Sequence, residues 1–311
     1  MACAELAADP IRALELLREG GLTVHGRLTT ASNAAFYCSV DADGVEAFCV
    51  YKPVAGERPL WDFPDGTLAA RETAAYEVAA AAGWPLIPPT VLREGPFGEG
   101  MVQLWIEPVE TPELDTPDPG AADAADAEGA PGAEAADGAG TGRADEEDGG
   151  PHALLALQDA QEPEPGWRAI GRAEVGGGRT ALLVHADDQR LRRLSVLDAV
   201  INNGDRKGGH LLTAADGRLY GIDHGVTFAV PPKLRTLLWG WAGEPLTGEA
   251  VEVLGRLDGE LAEGAALDRR LAALLTAEEL TALRGRVTGL LESGVHPLPS
   301  GDWPAVPWPP I

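Results

Sequence analysis

Alternating apolar and polar residues in the first third of the chain predict a small β-sheet with one helix after its third strand. A turn at 41–44 would join two strands as a hairpin, and the helix would cover residues 68–82. An earlier helix is expected to open at Asp9-Pro10 and to end at Gly20. The expected strands cover residues 22–28, 35–40, 45–52 and 102–106.

The later part of the chain is predicted to be mostly helical. Residues 188–202 carry leucine and isoleucine at helical spacing. Thr276 and Glu279 form a capping box, which opens a second helix with apolar residues at 280, 283, 287 and 290. One hairpin is expected to interrupt these helices, with its turn at Asp216-Gly217.

A stretch of unusual composition divides the chain at about residues 110–150. It consists almost wholly of Ala, Gly, Asp, Glu and Pro, and residues 111–150 hold 12 acids and one arginine. Because it has almost no large apolar residue, burial cannot offset the entropy of ordering it. We expect a disordered acidic insertion at 110–150, between an amino-terminal lobe at 1–109 and a carboxy-terminal lobe at 151–311.

The charge and the apolar pattern exclude several classes of protein. A formal net charge of −25 would repel a nucleic-acid backbone or an anionic membrane, so neither is expected as a partner. The beginning of the chain lacks a signal-peptide pattern, and no stretch approaches 18 uncharged apolar residues, so we expect a cytoplasmic protein without stable membrane insertion. The three cysteines form neither a disulfide framework nor a C-x-x-C pair.

The most informative segment reads Asn-Asn-Gly-Asp-Arg-Lys-Gly-Gly-His at 202–210, and Asp223 follows His210 by thirteen residues. A symmetric two-residue turn at Asp216-Gly217 would set His210 directly opposite Asp223. Asp205 lies on the loop that leads into this hairpin. Two carboxylates, an imidazole and two cations, Arg206 and Lys207, would therefore meet at the hairpin's open end, and phosphoryl transfer requires such groups.

These residues resemble a known family. Asp205, with Lys207 two positions later and His210 five positions later, resembles the catalytic loop of kinases, although His210 stands where those families generally have asparagine. Gly221–Phe228 resembles the metal-binding segment of type II phosphatidylinositol 4-kinases and HipA-type serine kinases. The chain is similar to an actinobacterial group described as phosphatidylinositol 3/4-kinase-like.

The resemblance implies a role for each of these residues. Asp205 would be the catalytic aspartate, and Lys207, together with Arg206, would stabilise charge on the transferred phosphoryl group. Asp223 would be the principal Mg²⁺ ligand. His210 would either bind a second metal or hydrogen-bond a phosphate, and its nitrogen ligand would also suit Mn²⁺.

The amino-terminal part supplies matching candidates for nucleotide binding. Lys52 ends the third predicted strand, where kinases place the lysine that contacts the nucleotide phosphates. Its partner would be a glutamate on the 68–82 helix. We favour Glu72 because its helix neighbours are more apolar than those of Glu77, without excluding Glu77. Backbone amides near Ser32-Asn33 would cover the phosphates, and the backbone of 103–107 would contact adenine.

Together these features predict an α+β protein with a two-lobed, protein-kinase-like fold, in which the amino-terminal lobe is small and β-rich and the carboxy-terminal lobe is mostly helical. Its expected activity is transfer of the γ-phosphate of ATP to a hydroxyl group. The family implies an inositol lipid as the acceptor, but the acidic chain shows no polybasic membrane-binding segment, so a protein or a soluble alcohol is an equal candidate. A different interpretation is a pseudokinase that binds nucleotide or acts as a scaffold without turnover.

Overall fold

The computed structural model describes residues 3–28, 33–58, 60–63, 67–109, 154–174 and 179–308. The chain forms two compact units, of which the larger comprises residues 1–109 and 187–311 and the smaller residues 110–186. The predicted insertion at 110–150 lies outside the described residues. The predicted division into lobes at 1–109 and 151–311 stays a prediction.

A five-stranded antiparallel sheet forms the first part of the larger unit, with the strand order β1-β2-β3-β5-β4. Three strands occupy the predicted places, and β5 begins before the predicted segment. A further strand, β4, lies between a proline-rich segment and a turn and was not predicted. The strands are β1 Gly21–Arg27, β2 Phe36–Ala42, β3 Val45–Pro53, β4 Thr90–Gly95 and β5 Gly98–Leu104.

Helices cover both faces of this sheet. The helices α1 (Cys3–Ala7) and α2 (Pro10–Glu19) pack an apolar core against one face. The opposite face carries α3 (Leu68–Ala82), which contacts β4 and β5. The Thr67 side chain caps the start of α3, and Gly83 ends it with a φ of 69°, a left-handed conformation that glycine adopts without strain. The core between these two helices and the sheet includes Leu6, Ala13, Leu16, Leu17, Cys38, Val40, Cys49, Tyr51 and Leu104.

The rest of the larger unit is mainly helical, as predicted. Asp188 caps the start of α4, and Asn202 ends this helix with a φ of 52°. The predicted capping box of Thr276 and Glu279 opens the last helix. A short hairpin follows α4. The elements are α4 Gln189–Ile201, β9 Leu211–Thr213, β10 Leu219–Gly221, α5 Gly248–Glu260, α6 Ala266–Leu271 and α7 Ala277–Ser293.

The smaller unit contains a sheet that the sequence analysis missed. Its described residues form three antiparallel strands in the order β6-β8-β7, namely β6 Leu155–Gln158, β7 Trp167–Glu174 and β8 Thr180–Ala186. Gly171 lies in β7 next to a shift in register. This shift interrupts the alternation of apolar and polar residues by which a strand is recognised in a sequence. The helices predicted for the second part begin only at residue 188, so these three strands are elements that the sequence did not predict.

The architecture is α+β, as predicted, with a β-rich amino-terminal part and a helical carboxy-terminal part. Its sheet carries one helix after the third strand, which is the arrangement expected of a kinase small lobe. A buried ion pair joins these parts, since Arg71 on α3 donates to Glu279 on α7 over 2.6 Å.

No helix among the described residues has the length and apolar content needed to cross a membrane.

Candidate active site

One ammonium group connects three elements of the fold. Lys52, near the end of β3, donates to Glu72 on α3 over 2.7 Å and to Asp223 over 2.9 Å. Glu72 is 3% exposed, whereas the Asp223 side chain is 51% exposed and faces the solvent. The structure thus pairs Lys52 with Glu72, as predicted, while Glu77 pairs instead with Arg270 over 2.6 Å.

The charges of this group shift one another's ionisation. Burial alone would lower the pKa of Lys52, but the carboxylates of Asp223 and Glu72 outweigh it and raise that pKa above its usual value. The Lys52 charge holds the pKa of Asp223 well below its usual range. Burial raises the pKa of Glu72, and Lys52 opposes that effect. The cluster therefore holds a cation beside an ionised, solvent-facing carboxylate.

The hairpin that follows α4 differs from its prediction by one residue. The structure pairs Leu211 with Gly221 and Thr213 with Leu219, so residue 210 lies opposite 222 and not 223. The loop holds three residues, because Ala214 pairs with Arg218 and Gly217 adopts a φ of 81°. The predicted two-residue turn is wrong for this reason.

His210 and Asp223 nevertheless meet. Asp223 adopts a φ of 60°, a left-handed conformation that changes the direction of its side chain relative to a regular strand. His210 Nε2 then lies 3.5 Å from Asp223 Oδ2. The Lys207 amide lies 3.5 Å from His210 Nδ1, which accepts this long hydrogen bond. Burial lowers the pKa of His210, although the charge of Asp223 opposes the shift. Burial thus favours the neutral form of the imidazole, which faces the Asp223 carboxylate.

The loop at 203–207 presents the second carboxylate. Asn203 Oδ1 accepts the Asp205 amide over 2.9 Å, and Asn203 Nδ2 donates to Asp198 over 2.9 Å. Lys207 Nζ lies 3.0 Å from Asp205 Oδ2, and both side chains are partly exposed. Asp205 and Lys207 thus form an accessible pair on a loop that buried side chains hold in place.

Arg206 has a different place from the predicted one. Its side chain is 0% exposed and forms two hydrogen bonds of 2.9 Å with Asp198, which is also 0% exposed. The predicted contact of Arg206 with the transferred phosphoryl group is therefore wrong, because the guanidinium points into the protein. A charged group so far from water requires a partner, and Asp198 supplies it.

The other predicted nucleotide contacts are only partly described. Ser32 lies outside the described residues. Asn33 Oδ1 accepts the Arg58 amide over 3.0 Å, and its predicted phosphate contact stays a prediction. In the expected hinge, the amides of Leu104 and Trp105 donate to carbonyls of the protein itself. These two amides are therefore not available to an adenine base.

Aromatic rings lie on the same face of the sheet as Lys52. Phe48, Val50 and Lys52 alternate along β3 and so share a face, and Tyr37 pairs with Val50 across the sheet. The rings of Tyr37 and Phe48 stack with centroids 5.2 Å apart, and Trp105 packs edge-on to Tyr37 at 5.0 Å. These rings extend from Lys52 toward the expected hinge, and the sequence analysis had given them no role.

The donor set fits a divalent cation only together with phosphate ligands. Among residues 3–28, 33–58, 60–63, 67–109, 154–174 and 179–308, no cluster of three or more His, Cys, Asp or Glu side chains could hold a metal ion. Asp223 and His210 nevertheless form a closely spaced pair of one carboxylate and one nitrogen, 3.5 Å apart, and Asp205 offers a second carboxylate on the neighbouring loop. Mg²⁺ is commonly held by one or two carboxylates plus substrate phosphates, and the nitrogen also suits Mn²⁺.

Sequence reasoning missed Asp198 and gave His224 no role. Asp198 is a carboxylate on a helix whose neighbouring positions, Leu194 and Ile201, are buried. An acid among such neighbours signals a buried partner, and Arg206, 8 residues later, was the candidate. His224 is 0% exposed, and Arg206 donates to it over 2.6 Å. Its position directly after Asp223 was the available signal.

No protein-family model matches the chain. Among solved structures, the Golgi casein kinase with Mn/ADP bound gives a TM-score of 0.49 at 13% identity, covering 91% of this chain and 75% of that chain. A structure of hydra Fam20 with sugar gives 0.47 at 13% identity, covering 92% and 88%. Scores at this level do not establish a common fold, so the kinase-like arrangement rests on the geometry described above.

A curated relative is much closer. The chain is 44% identical over 294 residues to protein Rv2133c of Mycobacterium tuberculosis, and the match covers 94% of both chains. Identity of this extent over nearly the full length of both proteins implies a common ancestry and a shared fold. The chain therefore belongs to the same family as protein Rv2133c.

Proposed function

We propose that this protein is an ATP-dependent phosphotransferase whose acceptor is a hydroxyl group. The observation that carries the proposal is the bridge of Lys52 between Glu72 on α3 and Asp223 on the hairpin segment. Phosphotransferases with a kinase fold use a strand lysine held by a helix glutamate to contact the nucleotide phosphates, beside an aspartate that binds the metal. The chain places both carboxylates within hydrogen-bonding distance of the same ammonium.

The remaining residues supply the groups that the reaction needs. Asp205 would orient the acceptor hydroxyl and accept its proton while the hydroxyl oxygen forms a bond to the γ-phosphorus. The bond from that phosphorus to the β–γ bridging oxygen breaks at the same time, and ADP leaves with the electron pair. Lys207, 3.0 Å from Asp205, would lie beside the transferred group.

Asp223, with Asp205 or His210, would hold Mg²⁺ or Mn²⁺. When bound with the nucleotide, the ion neutralises charge on the phosphates. Lys52 would contact the α- and β-phosphates. Its raised pKa keeps it cationic throughout the physiological range.

The finer assignment, a phosphatidylinositol 3/4-kinase-like enzyme, rests on the resemblance of Asp205–His210 and Gly221–Phe228 to that family. An inositol hydroxyl is the acceptor that this resemblance implies, and a protein hydroxyl or a soluble alcohol competes with it. The strong negative charge of the chain disfavours a standing association with an anionic bilayer. Incubation with labelled ATP in an extract of the source cells, followed by separation of lipid, protein and small molecules, identifies the acceptor class.

The general proposal is tested with Asp205→Ala. This variant should lose ATP-dependent phosphorylation by a factor of about 100 or more, because the hydroxyl loses the group that orients it and accepts its proton, while metal-dependent nucleotide binding persists. Asp216→Ala is a matched control, since Asp216 pairs with Arg218 at the far end of the same hairpin. Full activity of Asp205→Ala would refute the catalytic role of Asp205.

A non-catalytic nucleotide-binding protein is the second candidate. The observation that favours it is His210, which stands at the position of a metal-binding asparagine and faces Asp223 at 3.5 Å. ATP consumption with Mg²⁺ and with Mn²⁺, measured beside a thermal-shift assay of nucleotide binding, separates the candidates. Binding without turnover under both metals supports this second function.

A further inference from the structure

Arg206 occupies the centre of a buried polar network beneath the candidate site. Its guanidinium binds both carboxylate oxygens of Asp198, on α4, through two hydrogen bonds of 2.9 Å. Such a two-point contact fixes the plane of the guanidinium as well as its position. Neither side chain is exposed, so water does not compete for these bonds.

The same guanidinium contacts the segment on both sides of Asp223. Its Nη1 donates to the Ile222 carbonyl over 3.1 Å, and its Nη2 donates to His224 Nε2 over 2.6 Å. Asp223 lies between these two contacts with a left-handed φ of 60°, a conformation that is unfavourable for a residue with a side chain. The two contacts hold the flanking residues and so stabilise that conformation.

Gly221 provides the space for this arrangement. A Cβ at residue 221 would lie 3.1 Å from Nη2 and 3.2 Å from Nη1 of Arg206. The guanidinium could accept a side chain there only by shifting away from its partners. A side chain at 221 would therefore displace the Arg206 guanidinium by a few tenths of an ångström, and glycine avoids that displacement.

The backbone of Arg206 completes the connection. Its amide donates to the Arg235 carbonyl over 3.0 Å, and it directly follows Asp205 in the chain. One residue thus connects α4, the loop that carries Asp205 and the segment that carries Asp223. A shift of Arg206 would change the distance between the two carboxylates.

We infer that Arg206 is a positioning residue, which sets the separation of Asp205 and Asp223 and maintains the strained backbone of Asp223. This inference rests on the proposed function for its catalytic consequence, but its structural part does not depend on turnover. It replaces the predicted contact between Arg206 and phosphate with an indirect action through the two aspartates.

Amide hydrogen exchange tests the inference without any ligand. Gly221→Ala displaces the guanidinium while removing none of its partners, and Arg206→Lys removes the planar fork. In both variants, exchange of the amides at 203–210 and at 221–226 should rise together, by about tenfold to a hundredfold, because hydrogen bonds to a charged group are lost. Exchange in α7 should stay at the wild-type rate in Gly221→Ala, which separates this local effect from a general loss of stability.

Two control variants accompany these. Gly255→Ala, on α5, adds a methyl group where nothing lies within 4 Å. Arg284→Lys alters an ion pair with Asp268 elsewhere in the unit. Neither should change exchange at 203–210 or 221–226. The inference is overturned if Gly221→Ala leaves exchange at 221–226 unchanged, or if only one of the two segments responds. If Arg206→Lys does not fold, the exchange rates of Gly221→Ala alone decide whether Arg206 has the positioning role.

Kinetics then test the catalytic consequence. In Gly221→Ala, kcat should fall about tenfold or more and the Mg²⁺ concentration for half-maximal rate should rise, while binding of metal-free ADP stays as in the wild type. Wild-type protein that shows no turnover would contradict the proposed function, and the exchange experiment would still decide the positioning role. Normal kcat and metal dependence in an active Gly221→Ala variant would overturn the catalytic part.

Discussion

Lys52 and Asp223 are 171 residues apart in the sequence, yet the Lys52 ammonium lies 2.9 Å from the Asp223 carboxylate. Their contact connects the sheet to the hairpin segment, and Glu72 connects the same ammonium to α3. One ammonium thus pairs with two carboxylates. In the proposed phosphotransferase, this lysine–glutamate pair is the one that would contact the nucleotide phosphates.

Replacement of Lys52 should separate the structural from the chemical role of this cluster. Lys52→Met leaves the buried Glu72 carboxylate without its cation, which should cost about 3–5 kcal/mol of unfolding free energy. Turnover should fall by about 10²–10³. The double variant Lys52→Met/Glu72→Gln removes both charges, so it should recover most of the stability and none of the activity. Urea unfolding and ATP turnover of the three proteins provide the measurement. Equal instability of the single and double variants would contradict the pairing.

The aromatic rings beside Lys52 predict how the nucleotide base binds. Stacking on Trp105 and Tyr37 would contribute about 1–3 kcal/mol, and it tolerates different bases because every base has a π-face. We therefore expect Trp105→Ala to raise the KM for ATP about tenfold or more, and the wild type to use GTP with a KM within about tenfold of that for ATP. Trp308→Ala, which truncates an 84% exposed tryptophan near the end of the chain, is the matched control. An unchanged KM in Trp105→Ala would exclude stacking on this ring.

The parts of the site that could be predicted from sequence are those set by local chain geometry. The strand before Lys52, the helix of Glu72 and the loop of Asp205 all follow from apolar periodicity and capping residues within a few positions. The apolar neighbours of Glu72 identified the face of α3 that points inward. That step succeeded because a buried carboxylate needs a cation, and Lys52 was the one available at a strand end.

The errors arose where conformation depends on distant contacts. His210 and Asp223 meet because Asp223 adopts a left-handed conformation and the hairpin has a three-residue loop. Residue 223 is not glycine, so the sequence does not indicate a left-handed conformation there. Arg206 has the sequence context of a surface cation beside Lys207, and only the fold shows that Asp198 draws it inward. In β7, Gly171 accompanies a register shift that breaks the alternating pattern, so periodicity could not reveal that strand.

Two ion pairs hold α3 against the carboxy-terminal helices. We expect the more deeply buried pair to contribute more to the free energy of unfolding. The Arg71–Glu279 pair is 3% and 6% exposed, so Arg71→Met should lower the unfolding free energy by about 3–5 kcal/mol, since it leaves the buried Glu279 carboxylate without its ion-pair partner. Arg270, which pairs with Glu77, is 46% exposed, and Arg270→Met should cost about 0–1 kcal/mol. Urea unfolding of both variants measures the contrast. Similar losses for the two would show that burial does not control these pairs.

Two buried thiols should make the free energy of unfolding fall at alkaline pH. Cys38 and Cys49 lie opposite each other on β2 and β3 and are 0% exposed. Burial raises the pKa of Cys38 to about 11, and it raises the pKa of Cys49 as well. An unfolded cysteine ionises near pH ~8.5. Between that pH and the folded pKa, the unfolded state releases a proton that the folded state keeps, so stability falls as pH rises.

The expected loss is up to about 1.4 kcal/mol per pH unit for each thiol, beginning near pH ~8.5. The variant Cys38→Ala/Cys49→Ala should be less stable at pH ~7, because it leaves small cavities, but its stability should decline less steeply between pH ~8.5 and ~10.5. Urea unfolding at several pH values gives both slopes, and the difference between them isolates the thiols from the lysines that also titrate there. Iodoacetamide should label the partly exposed Cys3 in the native protein at pH ~8 and leave the other two unmodified. Equal slopes for the two proteins, or rapid native labelling of Cys38, would contradict the burial of these thiols.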